Sequence, residues 1–183
     1  ELLRTGDGPT ELAIAVDKLS TVTVPTRQVW LPPLPAALAM DHLVGRPVVD
    51  AERGFCSTVW PLSGSLSVPL GLLDLPLRQE QETLVMNFAG AHGHIAAVGA
   101  PRSGRSSLLR TIMLAGMMTH TPDEMQFYCI DFGGGTLHPF AAAPHVGSVA
   151  GRTDRELIER MLSEVHALIA QREHLLRQLG IDS

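Results

Sequence analysis

The chain has 183 residues, 45% of them hydrophobic, which is an ordinary length for one domain with a buried core. Its formal net charge of −5 and the lack of dense basic runs argue against a generic nucleic-acid surface. No apolar run approaches the ~20 residues that a membrane helix requires. The chain begins Glu1-Leu-Leu-Arg without an initiator methionine, from which we expect a piece of something larger.

The first part of the chain predicts a strand followed by a proline-rich linker. Thr10 to Asp17 alternates polar and apolar residues, as a strand does, and a turn-like continuation follows from Thr21 to Pro25. The stretch Val29 to Pro35 is extended, because its prolines fix φ and remove backbone donors. We expect a linker pinned to apolar surface by Trp30, since a buried indole covers a large area. The alternative is a polyproline ligand for an SH3-like groove.

The next segment predicts little regular structure before one clear strand. Ala36 to Leu43 fits one or two helical turns, and Val48 to Leu77 reads as loop with apolar islands. Thr83 to Phe88 predicts a strand. His92 and His94, the closest histidine pair, are expected at a strand edge and not as metal ligands.

The two cysteines, Cys56 and Cys129, lie far apart in sequence, and Cys129 falls in a predicted buried strand. We expect both to be free thiols in a reducing cytoplasm.

The stretch from Gly99 to Ser107 fits the phosphate-binding loop pattern G-x-x-x-x-G-K-[ST], with Arg105 at the lysine position. A predicted buried strand, His94 to Val98, precedes it, and a largely apolar predicted helix, Ser107 to Thr119, follows. In such a loop backbone N–H groups surround a phosphate, and the Ser106 hydroxyl can hold Mg²⁺. The candidate nucleotide-binding residues are Gly99, Ala100, Pro101, Arg102, Ser103, Gly104, Arg105, Ser106 and Ser107.

Arginine at position 105 changes what such a loop is expected to do. Lysine is a compact point charge, whereas arginine carries a wider planar fork. Arg105 keeps the positive charge that attracts phosphate, but its head is poorly placed where charge develops in the transition state. The sequence therefore predicts a binding-competent or vestigial site with weak hydrolysis.

The last third alternates strand, loop and helix. Met125 to Asp131 predicts a buried strand that ends in an acid, and Gly133 to Gly135 predicts a flexible corner. Thr153 to Glu156 is a capping-box pattern, and Gly180 is a C-cap for the helix that it opens. The predicted apolar stripe of this helix comprises Leu157, Met161, Val165, Leu168, Leu175 and Leu179. The order of elements predicts an α/β fold with a parallel sheet.

These motifs together resemble the FtsK/SpoIIIE superfamily of P-loop motor ATPases, and more closely an internal module of the EccC family of type VII (ESX) secretion motors. The resemblance rests on the loop, on Phe127 to Leu137, on Pro144 to Gly147, on Gln28 to Leu34 and on Leu70 to Pro76. It implies a RecA-like core that uses ATP and Mg²⁺. It also implies a division into residues 1–35, the end of a preceding module plus linker, and 36–183, the N-terminal portion of an ATPase module.

The resemblance further implies partners and a location. The partners are other ATPase modules of the same chain, type VII membrane components, secreted ESX substrates and, in the full-length parent, a homo-hexamer. The location is the cytoplasmic side of the bacterial inner membrane. In this superfamily the Walker B strand comes later than Met125 to Asp131, so Asp131 is expected to be structural or near the site rim, with a catalytic role as the alternative. We expect the chain to stop before that strand.

Two other functions stay open at this stage. One is a non-catalytic interaction module that holds an exported protein or a neighbouring ATPase domain. The other, less favoured because basic runs are absent, is a fragment of a DNA translocase.

Overall fold

The structure, a computed structural model, describes residues 8–22, 26, 30–60, 64–90 and 93–180. Four helices, six strands and a short 3₁₀ turn follow one another in these ranges. In chain order they are α1 (Glu11–Val22), α2 (Asp41–Val44), β1 (Val48–Asp50), β2 (Gly54–Cys56), β3 (Ser67–Leu75), β4 (Glu80–Asn87), α3 (Arg105–Thr119), β5 (Phe127–Asp131), the 3₁₀ turn (His138–Phe140), β6 (Val146–Gly151) and α4 (Arg155–Gln178). None of the described helices is long and apolar enough to span a bilayer.

The described strands form three separate pairs. β1 with β2 and β3 with β4 are antiparallel hairpins, whereas β5 and β6 run parallel, with Tyr128 opposite Ser148. A parallel pair needs a crossover connection, here the segment that carries the 3₁₀ turn. The predicted parallel α/β arrangement is confirmed in this pair.

The core forms around α3, which packs between the β3–β4 hairpin and β5. One cluster joins α3 to the parallel pair, and a second joins it to the hairpin and to the start of β5. The buried residues of the first are Met113, Cys129, Leu137 and Val146, and those of the second are Val68, Ala115 and Met125. Cys56 and Cys129 are both buried free thiols, as expected.

The predicted strand from Thr10 to Asp17 is wrong, because this segment lies in helix α1. The Thr10 hydroxyl accepts a hydrogen bond from the N–H of Ala13 at 3.1 Å, as an N-cap residue does. The alanine and leucine residues of this segment have a high helix propensity, which outweighs the weak alternation of polar and apolar residues. Thr21 and Val22 complete that helix, and residues 23–25 lie outside the described residues.

Trp30 is 75% exposed, so the prediction that it is buried is wrong. Residues 31–35 have no regular structure, in agreement with the prolines, and the Gln81 side chain donates to the Pro32 carbonyl at 2.8 Å. This bond holds the linker backbone against β4 while the indole faces solvent. Val29 lies outside the described residues.

The region from Val48 to Leu77 holds three strands, so the prediction of a loop-rich segment is wrong. Pro69 and Gly71 interrupt the strand pattern in the sequence, but the ladder accommodates them with an irregularity between these two residues. The strand predicted at Thr83 to Phe88 is confirmed as β4, and the helical turns predicted near Leu43 are confirmed in part as α2.

The segment from His94 to Val98 is not the predicted buried strand. No described strand pairs with it, and the side chains of Ile95 and Val98 are 43% and 96% exposed. An apolar run in the sequence indicates a preference for burial. A β-strand also needs a neighbouring backbone for its hydrogen bonds, and no described residue supplies one here.

The strand predicted at Met125 to Asp131 and the last helix are confirmed as β5 and α4, whereas the capping box is wrong and the apolar stripe is confirmed only in part. The N-cap of α4 is Asp154, whose carboxylate accepts from the Gly151 N–H at 2.8 Å and so serves the preceding turn. Gly180 lies just past the helix with φ +68°, as a C-terminal glycine does. Of the predicted apolar stripe of α4, only Met161 is fully buried.

Candidate functional site

The predicted phosphate-binding loop turns sharply into α3. Gly104 is the N-cap residue of that helix, with φ +90° in the left-handed region that favours glycine. Arg102 is also left-handed, with φ +63°. The Ser103 N–H donates to the Ala100 carbonyl at 3.1 Å, which closes the turn before Gly104. Two left-handed residues thus bend the loop directly before α3, and the first residues of that helix are exposed to solvent.

The backbone N–H groups from Gly104 to Ser107 are available to a ligand. The first helical hydrogen bond at this end runs from the Leu108 N–H to the Gly104 carbonyl at 2.8 Å, and none of the hydrogen bonds within the described residues uses the four preceding donors. Free donors and the positive end of the helix dipole together favour an anion.

Gly99 is required for the tightness of the loop. A Cβ at this position would lie 2.4 Å from Ser103 Oγ and 3.7 Å from Arg105 Cγ. The Ser103 side chain therefore fills the space beside Gly99, and the stem of Arg105 lies over it. This packing explains why the first glycine of the pattern is needed, although it makes no bond to a ligand.

Two cations and two hydroxyls border the free donors. Arg102, Arg105, Ser106 and Ser107 are all exposed. Among the described residues neither arginine lies within ion-pair distance of a carboxylate. Both guanidinium groups therefore add positive potential to the place where the N–H groups and the dipole already favour an anion.

Asp131 is held by the loop that follows β5. Its carboxylate accepts from the N–H groups of Gly133 at 2.8 Å and Leu137 at 2.9 Å, and from the Thr136 hydroxyl at 3.3 Å. The Leu137 N–H chiefly, with that of Gly133, holds the pKa of this carboxyl below its usual range. The sequence indicated an acidic residue at the end of a strand. It did not indicate that N–H and O–H groups of the following loop donate hydrogen bonds to its carboxylate.

A large apolar groove, which the sequence does not reveal, lies beside the loop helix. Its volume is about 790 Å³, and it runs between the segment 93–97, one face of α3, β5 and α4. Ile95, Leu109, Met113 and Ile169 contribute to its apolar lining. Residues of β5 line the groove and residues of β6 do not, and among the described strands β5 pairs with β6 alone.

Comparison with known proteins places this architecture in a family. The family model described as FtsK/SpoIIIE matches residues 64–183. The ESX secretion system protein EccC of Thermomonospora curvata is 42% identical over 156 residues, and the ESX-4 secretion system protein EccC4 of Mycobacterium tuberculosis is 41% identical over 175 residues. These matches cover 85% and 96% of this chain but only 12% and 13% of the two relatives.

Solved structures give the same result. The cytoplasmic domain of the type VII secretion ATPase EccC of T. curvata superimposes with a TM-score of 0.85 at 39% identity, over 97% of this chain and 21% of that one. ATPases 2 and 3 of the same protein, solved in complex with a signal sequence peptide, superimpose with a TM-score of 0.75 at 42% identity over 84% of this chain and 28% of that one.

Proposed function

The chain belongs to the FtsK/SpoIIIE family, and from that premise we propose that it is an ATP-binding module of a type VII protein secretion motor, with weak or no hydrolysis of its own. The curated relatives are EccC components of ESX secretion systems. The observation that carries the proposal is the set of free backbone N–H groups from Gly104 to Ser107 at the start of a buried helix.

ATP and Mg²⁺ fit this loop by the chemistry of its donors. The N–H groups of Gly104 to Ser107 would hold a phosphate, Arg105 would neutralise part of its charge, and the Ser106 hydroxyl would be a ligand for Mg²⁺. The bound metal neutralises charge on the phosphates. The residues of the loop would bind and orient the nucleotide, and none of them activates a water molecule.

Weak hydrolysis follows from the side chains at two positions. Arg105 has a wide head on a long stem, so its charge is less well placed than that of a lysine at the same position. Asp131, the acid at the end of β5, already accepts three hydrogen bonds from its own loop. We propose that Asp131 is structural.

The wider assembly is proposed from the relatives. Residues 1–35 would connect to a preceding module and residues 36–183 would form the N-terminal portion of an ATPase module. Other ATPase modules, membrane components of the secretion system and exported ESX proteins would be the partners, in a hexameric parent on the cytoplasmic side of the inner membrane. The exposed Trp30 on the anchored linker is then a contact for a neighbouring module.

Calorimetric titration of Mg·ATP into the purified chain tests the binding site. Arg105→Ala should weaken binding, whereas Arg78→Ala removes the same charge from the β3–β4 turn and should not. The proposal fails if Mg·ATP does not bind, or if the two variants bind equally.

A second candidate is an interaction module that holds an exported polypeptide, and the apolar groove favours it. A relative was solved with a signal sequence peptide. An extended apolar segment fits an apolar groove lined by β5, because its side chains would find apolar pockets there and β5 pairs with one neighbour alone among the described strands. Titration of a labelled signal peptide against Ile95→Glu tests this function. Leu77→Glu is the matched control, because Leu77 is fully exposed on the hairpin turn.

A further inference from the structure

The C-terminal end of α3 is held by three donors that lie far away in the sequence. A helix leaves its last carbonyls without partners of its own, so other groups must satisfy them. Three consecutive carbonyls at this end each accept a hydrogen bond: Met118 from the Ser57 N–H at 2.6 Å, Thr119 from Arg53 Nη2 at 3.3 Å and His120 from His145 Nε2 at 2.8 Å. The end of the helix is therefore fixed both to the β1–β2 hairpin and to the residue that precedes β6.

Arg53 is the charged donor of this set, and it also contacts the turn that follows the helix. Its Nη2 donates to Glu124 Oε2 at 3.1 Å, and the same carboxylate oxygen accepts from the Thr121 N–H at 2.7 Å. The side chains of Arg53 and Glu124 are 34% and 30% exposed, so solvent screens this ion pair only in part. Hydrogen bonds between charged groups are stronger than those between neutral ones. Arg53 thus ties the hairpin to the last turn of α3.

Local hydrogen bonds in the β1–β2 turn set the position of Arg53. The Asp50 carboxylate accepts from the N–H groups of Glu52 and Arg53, both at 2.8 Å. Gly54 then adopts φ +74°, which lets the chain enter β2 directly after Arg53. The backbone of Arg53 is therefore fixed by its own turn, and its side chain carries that position to α3.

The opposite end of α3 has no comparable anchor among the described residues. The described hydrogen bonds of residues 99–107 stay within the loop and the first turn of the helix, as from the Ser103 N–H to Ala100 and from the Leu108 N–H to Gly104. The helix has 15 residues, spans about 22 Å and transmits a displacement as a rigid element. The position of the loop donors therefore depends on how the C-terminal end of the helix is held.

We propose that Arg53 is a positioning residue for the phosphate-binding loop. By anchoring the C-terminal end of α3 to the β1–β2 hairpin, it fixes where the free N–H groups of Gly104 to Ser107 lie at the other end. This role rests on the proposed function, since it concerns the geometry of the same nucleotide site. Without the Arg53 side chain, the Thr119 carbonyl loses its donor and Glu124 loses its ion-pair partner, so the helix end shifts. The loop shifts with it, and its N–H groups converge less well on a phosphate.

The substitutions Arg53→Met and Arg160→Met test this role by removing an arginine from two different ion pairs. Arg160 pairs with Glu156 on the exposed surface of α4. NMR of the ligand-free chain should show changed amide shifts for Gly104 to Ser107 in Arg53→Met and unchanged ones in Arg160→Met. The affinity for Mg·ATP, measured by calorimetry, should decrease about threefold to tenfold in Arg53→Met alone. Unchanged amide shifts of the loop in Arg53→Met would overturn the proposal.

Met161→Ala separates positioning from a general loss of stability. Met161 is buried in α4, so its truncation should lower the midpoint of urea unfolding at least as much as Arg53→Met does. It should nevertheless leave the loop amide shifts and the affinity for Mg·ATP unchanged. Equal changes at the loop in both variants would overturn the positioning role.

Glu124→Gln gives the same readout from a milder change. Glutamine still accepts from the Thr121 N–H but no longer forms an ion pair with Arg53. The loop amides should shift in the same direction as in Arg53→Met and by a smaller amount, and this variant decides the question if Arg53→Met does not fold. A wild-type chain that does not bind Mg·ATP would contradict the proposed function, whereas the amide shifts would still decide whether Arg53 positions the loop.

Discussion

Gly116 of α3 lies against the ring of Phe127 in β5 with no room for a side chain between them. A Cβ at position 116 would lie 2.8 Å from Phe127 Cζ and 2.7 Å from Met125 Sδ. The backbone of the loop helix is therefore in direct contact with side chains of Met125 and Phe127 at this point. Any change that pushes α3 away here also moves the loop at its other end.

Gly116→Ala should destabilise the protein by about 1–3 kcal/mol through overpacking, despite a gain of up to ~1 kcal/mol in helix propensity. Thermal and urea unfolding measure the net change. Gly71→Ala in β3 is the control, since a Cβ there meets nothing within 4 Å. Equal stability of the two variants would show that α3 can shift freely over β5.

Gly104→Ala should abolish anion binding at the loop. The new Cβ meets no atom within 4 Å, so the cost is that of φ +90° alone, about 1–2 kcal/mol. Relief of this strain would turn the free N–H groups away from a common centre. Gly54→Ala carries a similar penalty at φ +74° in the β1–β2 hairpin and should leave Mg·ATP binding unchanged. Binding retained in Gly104→Ala would remove the loop from the proposed site.

The sequence predicted the loop and the helices beside it because their signals are local. The glycine pattern, the apolar run of α3 and Gly180 after α4 each act within a few residues. The helix and the C-terminal glycine are confirmed in the structure, and the helix begins directly after the last glycine of the pattern. The resemblance to the family rests on the same loop together with segments far from it, among them Phe127 to Leu137 and Leu70 to Pro76.

Two of the wrong predictions depend on distant partners. The segment from His94 to Val98 has the composition of a strand, but a ladder needs a backbone that lies elsewhere in the sequence. Trp30 was expected to cover apolar surface, yet only the backbone of its linker is anchored, through Gln81. Asp131 was expected to be structural or near the site rim, but the donors that hold it could not be predicted, because they lie two to six residues further along a loop of undetermined shape.

Asp131→Asn should destabilise the protein at pH 7 and lose that effect in acid. The pKa of the Asp131 carboxyl is lowered in the folded chain, so its stabilisation is present above the ordinary value of about 3.9 and decreases as pH falls through the folded value. We expect a loss of about 1–3 kcal/mol at pH 7 by urea unfolding and a smaller one at pH 3. Thr136→Val, which removes one of three donors, should cost less at pH 7. A loss that does not change with pH would contradict the charged cap.

Arg105→Lys should bind Mg·ATP more tightly than the wild type but release phosphate at a rate that is still negligible. Lysine places a compact charge at the phosphates, and one misplaced electrostatic contact typically lowers a rate by ~10²–10³. The substitution does not free Asp131, whose carboxylate still accepts hydrogen bonds from its own loop. It also adds no arginine from a neighbouring subunit, a group that raises the rate of related enzymes by ~10³–10⁵. Calorimetry measures the affinity, and a coupled phosphate assay measures turnover over hours. Sustained phosphate release by the wild-type chain that disappears in Asp131→Ala but persists in Thr136→Val would overturn this prediction and make Asp131 the working carboxylate.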